Sequence, residues 1–169
     1  EDAGTNLLLR SEDFSTTWSP NNVNVTTDQV TAPDGTTTAD HLSENNASGA
    51  HFVFQSASVT TGNVYVFSIY AKADQRNWFQ LATQQGGYGA DAWANFNLNT
   101  GTVGNVGASA TASITAIGDG WYRCTMIATS TATSSTGGVA FALLGSDTDS
   151  RLPGYTGDGT SGLYVWGAQ

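Results

Sequence analysis

The sequence predicts an all-β protein built from many short antiparallel strands. Apolar and polar residues alternate over short runs that are rich in β-branched and aromatic side chains. Clusters of Gly, Asn and Asp separate these runs, and such clusters are typical of tight turns. No stretch of the sequence keeps the apolar period of about 3.6 residues that a helix requires. These observations together predict a β-sandwich or a β-barrel.

The stretch over residues 63–83 has the clearest strand pattern in the chain. Its first half is apolar on both faces, so we expect that strand at the centre of a sheet. A polar turn separates it from a second strand. This second strand carries Phe79 and Leu81 on one face and Trp78 and Gln80 on the other.

The other strands follow one another along the whole chain. We expect them at residues 6–10, 23–27, 37–42, 51–59, 92–98, 111–117, 121–129, 139–144 and 162–169. Residues 32–36 (APDGT) have the composition of a turn, because proline presets φ and Asp-Gly forms tight corners. A glycine-rich loop is expected at residues 84–90 and a long Gly/Asp loop at residues 145–162.

The length and composition indicate one domain with a weakly ionic surface. At 169 residues the chain is long enough to bury a core without disulfide bonds. We expect a linker or processed N-terminus at residues 1–5 and a single β-sandwich domain at residues 6–169. Only 11% of the residues are charged, compared with about 25% in an ordinary globular protein. A polar but weakly ionic surface of this kind is typical of extracellular all-β domains.

The charge balance argues against several classes of partner. The chain has 5 Lys and Arg against 14 Asp and Glu, for a net charge of −9. Binding to phosphates needs clustered basic residues, and here they are scattered, so nucleic acid and anionic membranes are not expected as partners. Strongly anionic polysaccharides are disfavoured as well, unless a cation bridges them to the protein. No apolar run is long enough to predict a membrane-spanning helix.

Several segments together resemble one known family. They are residues 6–18, 32–40, 66–73, 96–103, 118–123 and 164–169. These segments are similar to the carbohydrate-binding-module-like jelly-roll domains found in bacteriophage tail and head-fibre proteins and beside some secreted polysaccharide-degrading enzymes. The resemblance spans residues 6–169 and implies a two-sheet antiparallel β-sandwich of the jelly-roll type. It implies that one sheet is used for glycan, but it identifies no fixed binding residues.

A glycan site is predicted on the two strands that carry exposed-face tryptophans. Sugar rings offer apolar C–H faces surrounded by hydroxyls, so their sites combine an aromatic platform with neutral amides. If the two strands are neighbours in one sheet, they form such a platform, with Tyr88 covering its edge from the glycine-rich loop. The candidate carbohydrate-binding residues are Trp78, Gln80, Tyr88, Trp93, Asn95 and Asn97. The alternative is that one or both indoles close the rim of the sandwich or pack under the glycine-rich loop.

The remaining tryptophans and the single cysteine are interpreted as structural. Trp18, Trp121 and Trp166 are expected in the core. Cys124 is the only cysteine, which rules out a disulfide within the chain. Its position in phase with Tyr122 indicates a small buried hydrophobic residue.

Catalytic and metal-binding patterns are weak. No Gly-x-Ser-x-Gly motif is present, and the acids fall in turns, so no enzymatic activity is expected. His41 and His51 lack the spacing of transition-metal ligands. A structural calcium ion remains a hypothesis, because Asp147-Thr-Asp149 begins like a calcium loop although Arg151 follows where another oxygen is wanted. Glu12, Asp13 and Asp158 are alternative ligands.

The sequence therefore predicts a non-catalytic carbohydrate-binding domain, without a required cofactor, that targets or adheres to a polysaccharide or cell-surface glycan. The alternative is a structural, decoration or assembly domain of a virion fibre or surface protein with no glycan ligand. Oligomerisation and attachment to a larger multidomain protein are compatible with both hypotheses.

Overall fold

The computed structural model describes residues 5–148 and 150–169. Its strands are β1 (Ser19–Asn21), β2 (Val23–Val30), β3 (Ala39–Glu44), β4 (Ser48–Gly49), β5 (His51–Val59), β6 (Val64–Ala73), β7 (Trp78–Thr83), β8 (Trp93–Asn97), β9 (Thr102–Val106), β10 (Ala110–Gly118), β11 (Trp121–Thr129), β12 (Ser134–Leu144), β13 (Tyr155–Thr156) and β14 (Gly162–Trp166). One short helix, α1 (Gln85–Tyr88), interrupts them. In the described part of the chain, no helix is long and apolar enough to cross a membrane.

The strands form two six-stranded antiparallel sheets that pack face to face, which confirms the predicted β-sandwich. The first sheet has the strand order β1-β5-β12-β7-β8-β9. The second has the order β10-β11-β6-β14-β3-β2. Strands β4 and β13 form a small separate pair. Consecutive strands often belong to different sheets, so most connections cross the ends of the sandwich.

The core lies between the inner faces of the two sheets. Alternate residues of each strand point inward, as the period of two requires. Phe79, Phe96 and Phe141 come from the first sheet, whereas Ile69 and Met126 come from the second, and all are buried. At about 25 cal/mol per Å² of apolar surface removed from water, this continuous cluster is the main stabilising feature of the fold.

The two strands of the 63–83 stretch lie in different sheets. β6 is between β11 and β14 in the second sheet, so its predicted central position is confirmed. β7 is between β12 and β8 in the first sheet and is equally central. The polar turn that joins them is therefore a connection between sheets. Arg76 in this turn donates from Nε and Nη2 to the buried carboxylate of Glu44, at 2.8 Å and 2.5 Å.

The predicted strand at residues 6–10 is wrong. This segment contains no strand, although Leu8 is buried in the core. Arg10 has φ 55°, in the left-handed region, which interrupts an extended run. The side-chain amide of Gln55 takes the place of a neighbouring strand. It accepts from the Leu9 amide and donates to the Leu9 carbonyl, at 2.6 Å and 3.0 Å. Residues 1–4 of the predicted linker lie outside the described residues.

Candidate functional site

The two strands that carry most of the candidate residues are neighbours in the first sheet. β7 pairs with β8 so that Trp78 lies opposite Asn97, Gln80 opposite Asn95, and Ala82 opposite Trp93. Residues directly opposite each other in an antiparallel pair share one face of the sheet. The two indoles and the three amides therefore lie together on the outer face of the first sheet. We call this set (Trp78, Gln80, Trp93, Asn95 and Asn97) the covered face.

A long loop lies over most of this face. Residues 145–154, which we call the strap, run across β7 and β8, with residue 149 outside the described residues. Gln80 and Asn95 are 0% exposed and Trp93 is only 6% exposed, although all three point away from the core. The predicted residues thus share a surface, but the strap separates most of them from solvent.

The strap uses the hydrogen-bonding capacity of the two buried amides. Gln80 donates from Nε2 to Asn95 Oδ1 at 2.8 Å and to the Ser150 carbonyl at 3.0 Å. Its Oε1 accepts from the Leu152 amide at 2.7 Å. Asn95 donates from Nδ2 to Asp147 Oδ1 and to the Thr148 carbonyl, both at 2.8 Å. An amide side chain has two donor N–H groups, so neither residue keeps a free donor for a sugar hydroxyl.

Further contacts hold the strap at both ends. Arg151 donates from Nε and Nη2 to the Thr83 carbonyl, at 3.0 Å and 2.6 Å. Desolvation lowers the pKa of this guanidinium from its ordinary value, which still leaves the group charged at neutral pH. At the other end, Asp147 Oδ1 also accepts from the Asn105 amide at 3.1 Å. The strap is therefore tied to β7, to β8 and to β9.

Two glycines of β9 and the turn that follows it allow this close packing. A Cβ on Gly104 would lie 2.7 Å from the Trp78 ring and 2.8 Å from Asp147 Oδ1. A Cβ on Gly107 would lie 2.7 Å from Trp93 Nε1. Gly104 and Gly107 thus allow the close packing of both indoles.

Only part of the predicted site remains accessible. Trp78 and Asn97 are half-buried. Asn97 Oδ1 accepts from the Asn99 and Thr100 amides, at 2.9 Å and 3.1 Å, and so stabilises the following turn. The alternative that the indoles pack under a loop describes this arrangement, although the loop is the strap and not the glycine-rich segment.

Tyr88 does not cover the edge of this face, and its predicted position is wrong. Helix α1 directs its ring between the sheets, where it is 2% exposed and meets Tyr65 and Phe67 at centroid distances of 6.0 Å and 5.7 Å. Burial raises the pKa of its hydroxyl, which has no hydrogen-bond partner among the described residues. A Cβ on Gly87 would lie 2.8 Å from Val59, so the helix approaches the core as closely as glycine permits.

The outer face of the second sheet carries a second aromatic group that the sequence analysis did not identify as a site. In one row across the strands, Arg123 of β11 lies opposite Tyr70 of β6, which lies opposite Trp166 of β14. The outward-facing residues of this row and of the next row form a set that we call the aromatic face. Its members are His41, Tyr70, Lys72, Trp121, Arg123, Tyr164 and Trp166.

The second row runs across four strands. Trp121 lies opposite Lys72, Lys72 opposite Tyr164, and Tyr164 opposite His41. The rings of His41 and Tyr164 are 4.9 Å apart, and His41 Nε2 lies 3.1 Å from Asp74 Oδ2. The pKa of the Tyr164 hydroxyl is raised by desolvation and by the nearby Asp74 carboxylate.

The loop between β2 and β3 forms hydrogen bonds to two indoles of the aromatic face and buries one of them, Trp121. Trp121 Nε1 donates to the Thr31 carbonyl and Trp166 Nε1 donates to Thr38 Oγ1, both at 3.1 Å. Trp121 is buried, and the rings of Tyr70, Tyr164 and Trp166 are half-buried, as is that of Trp78. Tyr70 and Trp166 lie 5.5 Å apart between centroids.

The placement of the other tryptophans differs from prediction in one respect. Trp18 is buried in the main core, with its ring 5.0 Å from those of Phe14 and Phe141, as expected. Trp121 is buried as expected but lies on the outer side of the second sheet. Trp166 is only half-buried, so its predicted core position is wrong. The available signal was the spacing Trp121-x-Arg123, Tyr70-x-Lys72 and Tyr164-x-Trp166, which places two such residues on one face of each strand.

The described residues do not assemble a metal centre. Among them, no group of three or more His, Cys, Asp or Glu side chains could hold a metal ion. His51 is buried and bonds through its ring nitrogens to the Asn22 and Tyr155 carbonyls. Cys124 is buried as predicted, and desolvation raises the pKa of its thiol. Asp149 of the calcium hypothesis lies outside the described residues, and that hypothesis remains untested.

Comparisons with protein-family models and with curated proteins found no relative of this chain. The resemblance to carbohydrate-binding-module-like domains therefore remains a prediction from the sequence.

Proposed function

We propose that this protein is a non-catalytic carbohydrate-binding domain whose glycan contacts the aromatic face. The observation that supports this proposal is the cross-strand row of Arg123, Tyr70 and Trp166, with half-buried rings beside a charged side chain. The covered face, which the sequence favoured, supports it less. Its amides are saturated by the strap, and only Trp78 and Asn97 remain accessible.

The chemistry of the aromatic face fits a sugar ring. The C–H face of a pyranose packs against tyrosine or indole rings, and its hydroxyls require donors and acceptors at the rim of that platform. Here Tyr164, Lys72 and the His41–Asp74 pair supply such groups. The platform is held in place by the two indole hydrogen bonds, so little side-chain entropy is lost when a ligand binds.

This proposal makes the domain a targeting or adhesion module. Its partner is a polysaccharide or cell-surface glycan, and its location is extracellular or on a virion surface. It needs no metal or cofactor at the aromatic face.

Glycan-array screening followed by affinity gel electrophoresis tests the proposal. We expect the wild-type protein to bind at least one glycan, and Tyr70→Ala to weaken that binding at least tenfold because it removes the centre of the platform. Phe54→Ala is the matched control, because Phe54 is a half-buried aromatic on the outer face of the first sheet. Trp78→Ala distinguishes the two faces.

Two outcomes would count against the proposal. Binding that survives Tyr70→Ala and is lost in Trp78→Ala would move the glycan to the covered face. Failure of the folded wild-type protein to bind any glycan would reject the function itself. Melting temperatures of all variants establish that each is folded.

Assembly is a second candidate function, and an apolar patch on the second sheet favours it. Val64 and Val66 are 62% and 56% exposed, and Ile127, opposite Val66, is 41% exposed. An exposed apolar group of this kind is typical of interfaces between proteins.

Light scattering of the wild-type protein and of Val66→Lys tests this assembly function. We expect a dimer or higher oligomer that dissociates in the variant, and a wild-type monomer at high concentration would reject this candidate.

A further inference from the structure

We infer that the glycan bound at the aromatic face contains a carboxylated sugar, such as a uronic acid, and that Arg123 binds its carboxylate. This inference rests on the proposed function and specifies the class of its ligand. It is argued from where the few basic residues of this acidic chain lie and from what each of them contacts.

The five basic residues fall into two groups. Arg76 is paired with Glu44, and Arg151 donates to the Thr83 carbonyl. The positive charge of Arg10 is one of the causes that lower the pKa of Asp13. The remaining two, Lys72 and Arg123, both belong to the aromatic face. Within the described residues, neither has a carboxylate oxygen within 4.0 Å. In the described part of the chain, Arg10 and Arg151 also lack a carboxylate oxygen within this distance, so two of the four basic residues without an ion pair there lie beside the half-buried rings of the aromatic face.

Arg123 is suited to a planar anion. Its side chain is exposed, and its Cζ atom lies 5.9 Å from the centroid of the Tyr70 ring. Its hydrogen bond to a described residue is a long one, from Nη2 to Ser68 Oγ at 3.4 Å. A guanidinium has five N–H donors and binds carboxylates through two parallel hydrogen bonds. Most of its donors therefore remain for a ligand.

The spacing of the row matches a single sugar unit. Neighbouring strands are about 4.8 Å apart, so Arg123, Tyr70 and Trp166 extend over about 10 Å. A pyranose ring placed against Tyr70 and Trp166 would thus have a carboxylate on its edge within reach of Arg123. Lys72 lies on the same face two residues from Tyr70 and adds a second positive charge.

The rest of the molecule limits how anionic the ligand can be. A net charge of −9 repels a densely charged polymer, and Asp74 lies at the opposite end of the aromatic face from Arg123. One carboxylate at Arg123, with neutral hydroxyls towards His41 and Asp74, satisfies both ends. This distribution favours a carboxylated sugar over a sulfated one with several charges.

Binding to paired acidic and neutral polysaccharides tests the inference. The probes are hyaluronan, gellan and glucuronoxylan, in which neutral sugars separate the carboxylated ones, each also in a methyl-esterified or carboxyl-reduced form, measured at about 20 mM and 150 mM salt. We expect the wild-type protein to bind at least one acidic form about tenfold more tightly than its neutral form. Arg123→Gln should reduce this ratio to about one. Arg10→Gln, which removes an exposed cation elsewhere, should leave the ratio intact.

The possible failures separate this inference from the proposed function. Equal binding of acidic and neutral forms, lost in Tyr70→Ala, would overturn the inference and leave the function standing. No binding of any glycan would overturn both. Equal loss in Arg123→Gln and Arg10→Gln, or equally tight binding of heparin or poly-glutamate, would also overturn the inference, because either result indicates general anion attraction.

Discussion

The outer faces of the two sheets carry similar residue types but offer different surfaces. The first has Trp78 and Trp93 with three amides, and the second has Tyr70, Tyr164 and Trp166 with charged groups. The strap buries the amides of the first face, whereas the loop over the second face bonds its indole nitrogens and leaves three rings half-buried. An aromatic and amide pattern on adjacent strands is therefore insufficient evidence for a site, because a loop distant in sequence decides its accessibility.

The anchors of the two loop regions differ in charge. The strap is held to the first sheet by the neutral amides of Gln80 and Asn95. The segment after it is held to the second sheet by Glu44, which accepts from the Tyr155 hydroxyl at 2.6 Å and from the Asp158 amide at 2.8 Å. The same carboxylate pairs with Arg76. Three predictions use this contrast.

The largest effect is expected at the charged anchor. Glu44→Gln removes the buried carboxylate that pairs with Arg76 and leaves only Asp158, at 3.9 Å, near the guanidinium, so we expect a loss of about 3 kcal/mol in the free energy of unfolding at pH 7. Urea denaturation followed by fluorescence measures it. Glu12→Gln, at an exposed glutamate, is the control and should change stability by less than about 0.5 kcal/mol.

The same residue predicts an acid-side dependence on pH. Burial alone would raise the pKa of Glu44, but the hydrogen bonds from Arg76 and Tyr155 outweigh it and hold the pKa below its ordinary value of 4.5. The contribution is therefore complete above pH 4.5 and is lost as the pH falls through the lower folded-state pKa. Stability of the wild type should fall more steeply below pH 4.5 than that of Glu44→Gln. Parallel curves would contradict this assignment.

A smaller effect is expected at the neutral anchor. Gln80→Leu removes the partner of the Leu152 amide and of the Ser150 carbonyl, so we expect a loss of about 2 kcal/mol. The loss should be the same at pH 4 and pH 7, because the amide of Gln80 does not titrate. Gln85→Leu, at an exposed glutamine, is the matched control. An unchanged stability in Gln80→Leu would mean that the strap is not held by this amide.

The smallest effect is a difference in quenching between the two faces. Trp18, Trp93 and Trp121 are buried, whereas Trp78 and Trp166 are only half-buried, so acrylamide should quench mainly the latter two. Comparison of Trp78→Phe with Trp166→Phe separates their signals. A bound glycan should protect Trp166 and leave Trp78 accessible, and the reverse result would exchange the roles of the two faces.

Much of the fold follows from local pattern. The period of two in residues 51–59 and 121–129 predicts the exact extents of β5 and β11, because each strand buries one face. The APDGT turn is likewise confirmed, since the Gly35 amide bonds to the Ala32 carbonyl and Gly35 has φ 89°. The segment 6–10 is a different case. Its apolar run packs on the core without pairing, and composition does not distinguish these two outcomes.

The sequence by itself determined the all-β class, the inward phase of most strands and the face that Trp78 and Gln80 share on their strand, whereas the strand pairing placed Trp93 on that same face. These properties depend on neighbours in sequence or on direct strand pairing. Only the tertiary structure decided that the strap covers Gln80 and Asn95, that Tyr88 fills the core, and that Arg123, Tyr70 and Trp166 form one row. These residues lie far apart in the chain, and their contacts depend on sheet order and loop path. The local alternation of apolar and polar residues encodes neither the order of the strands in a sheet nor the path of a loop.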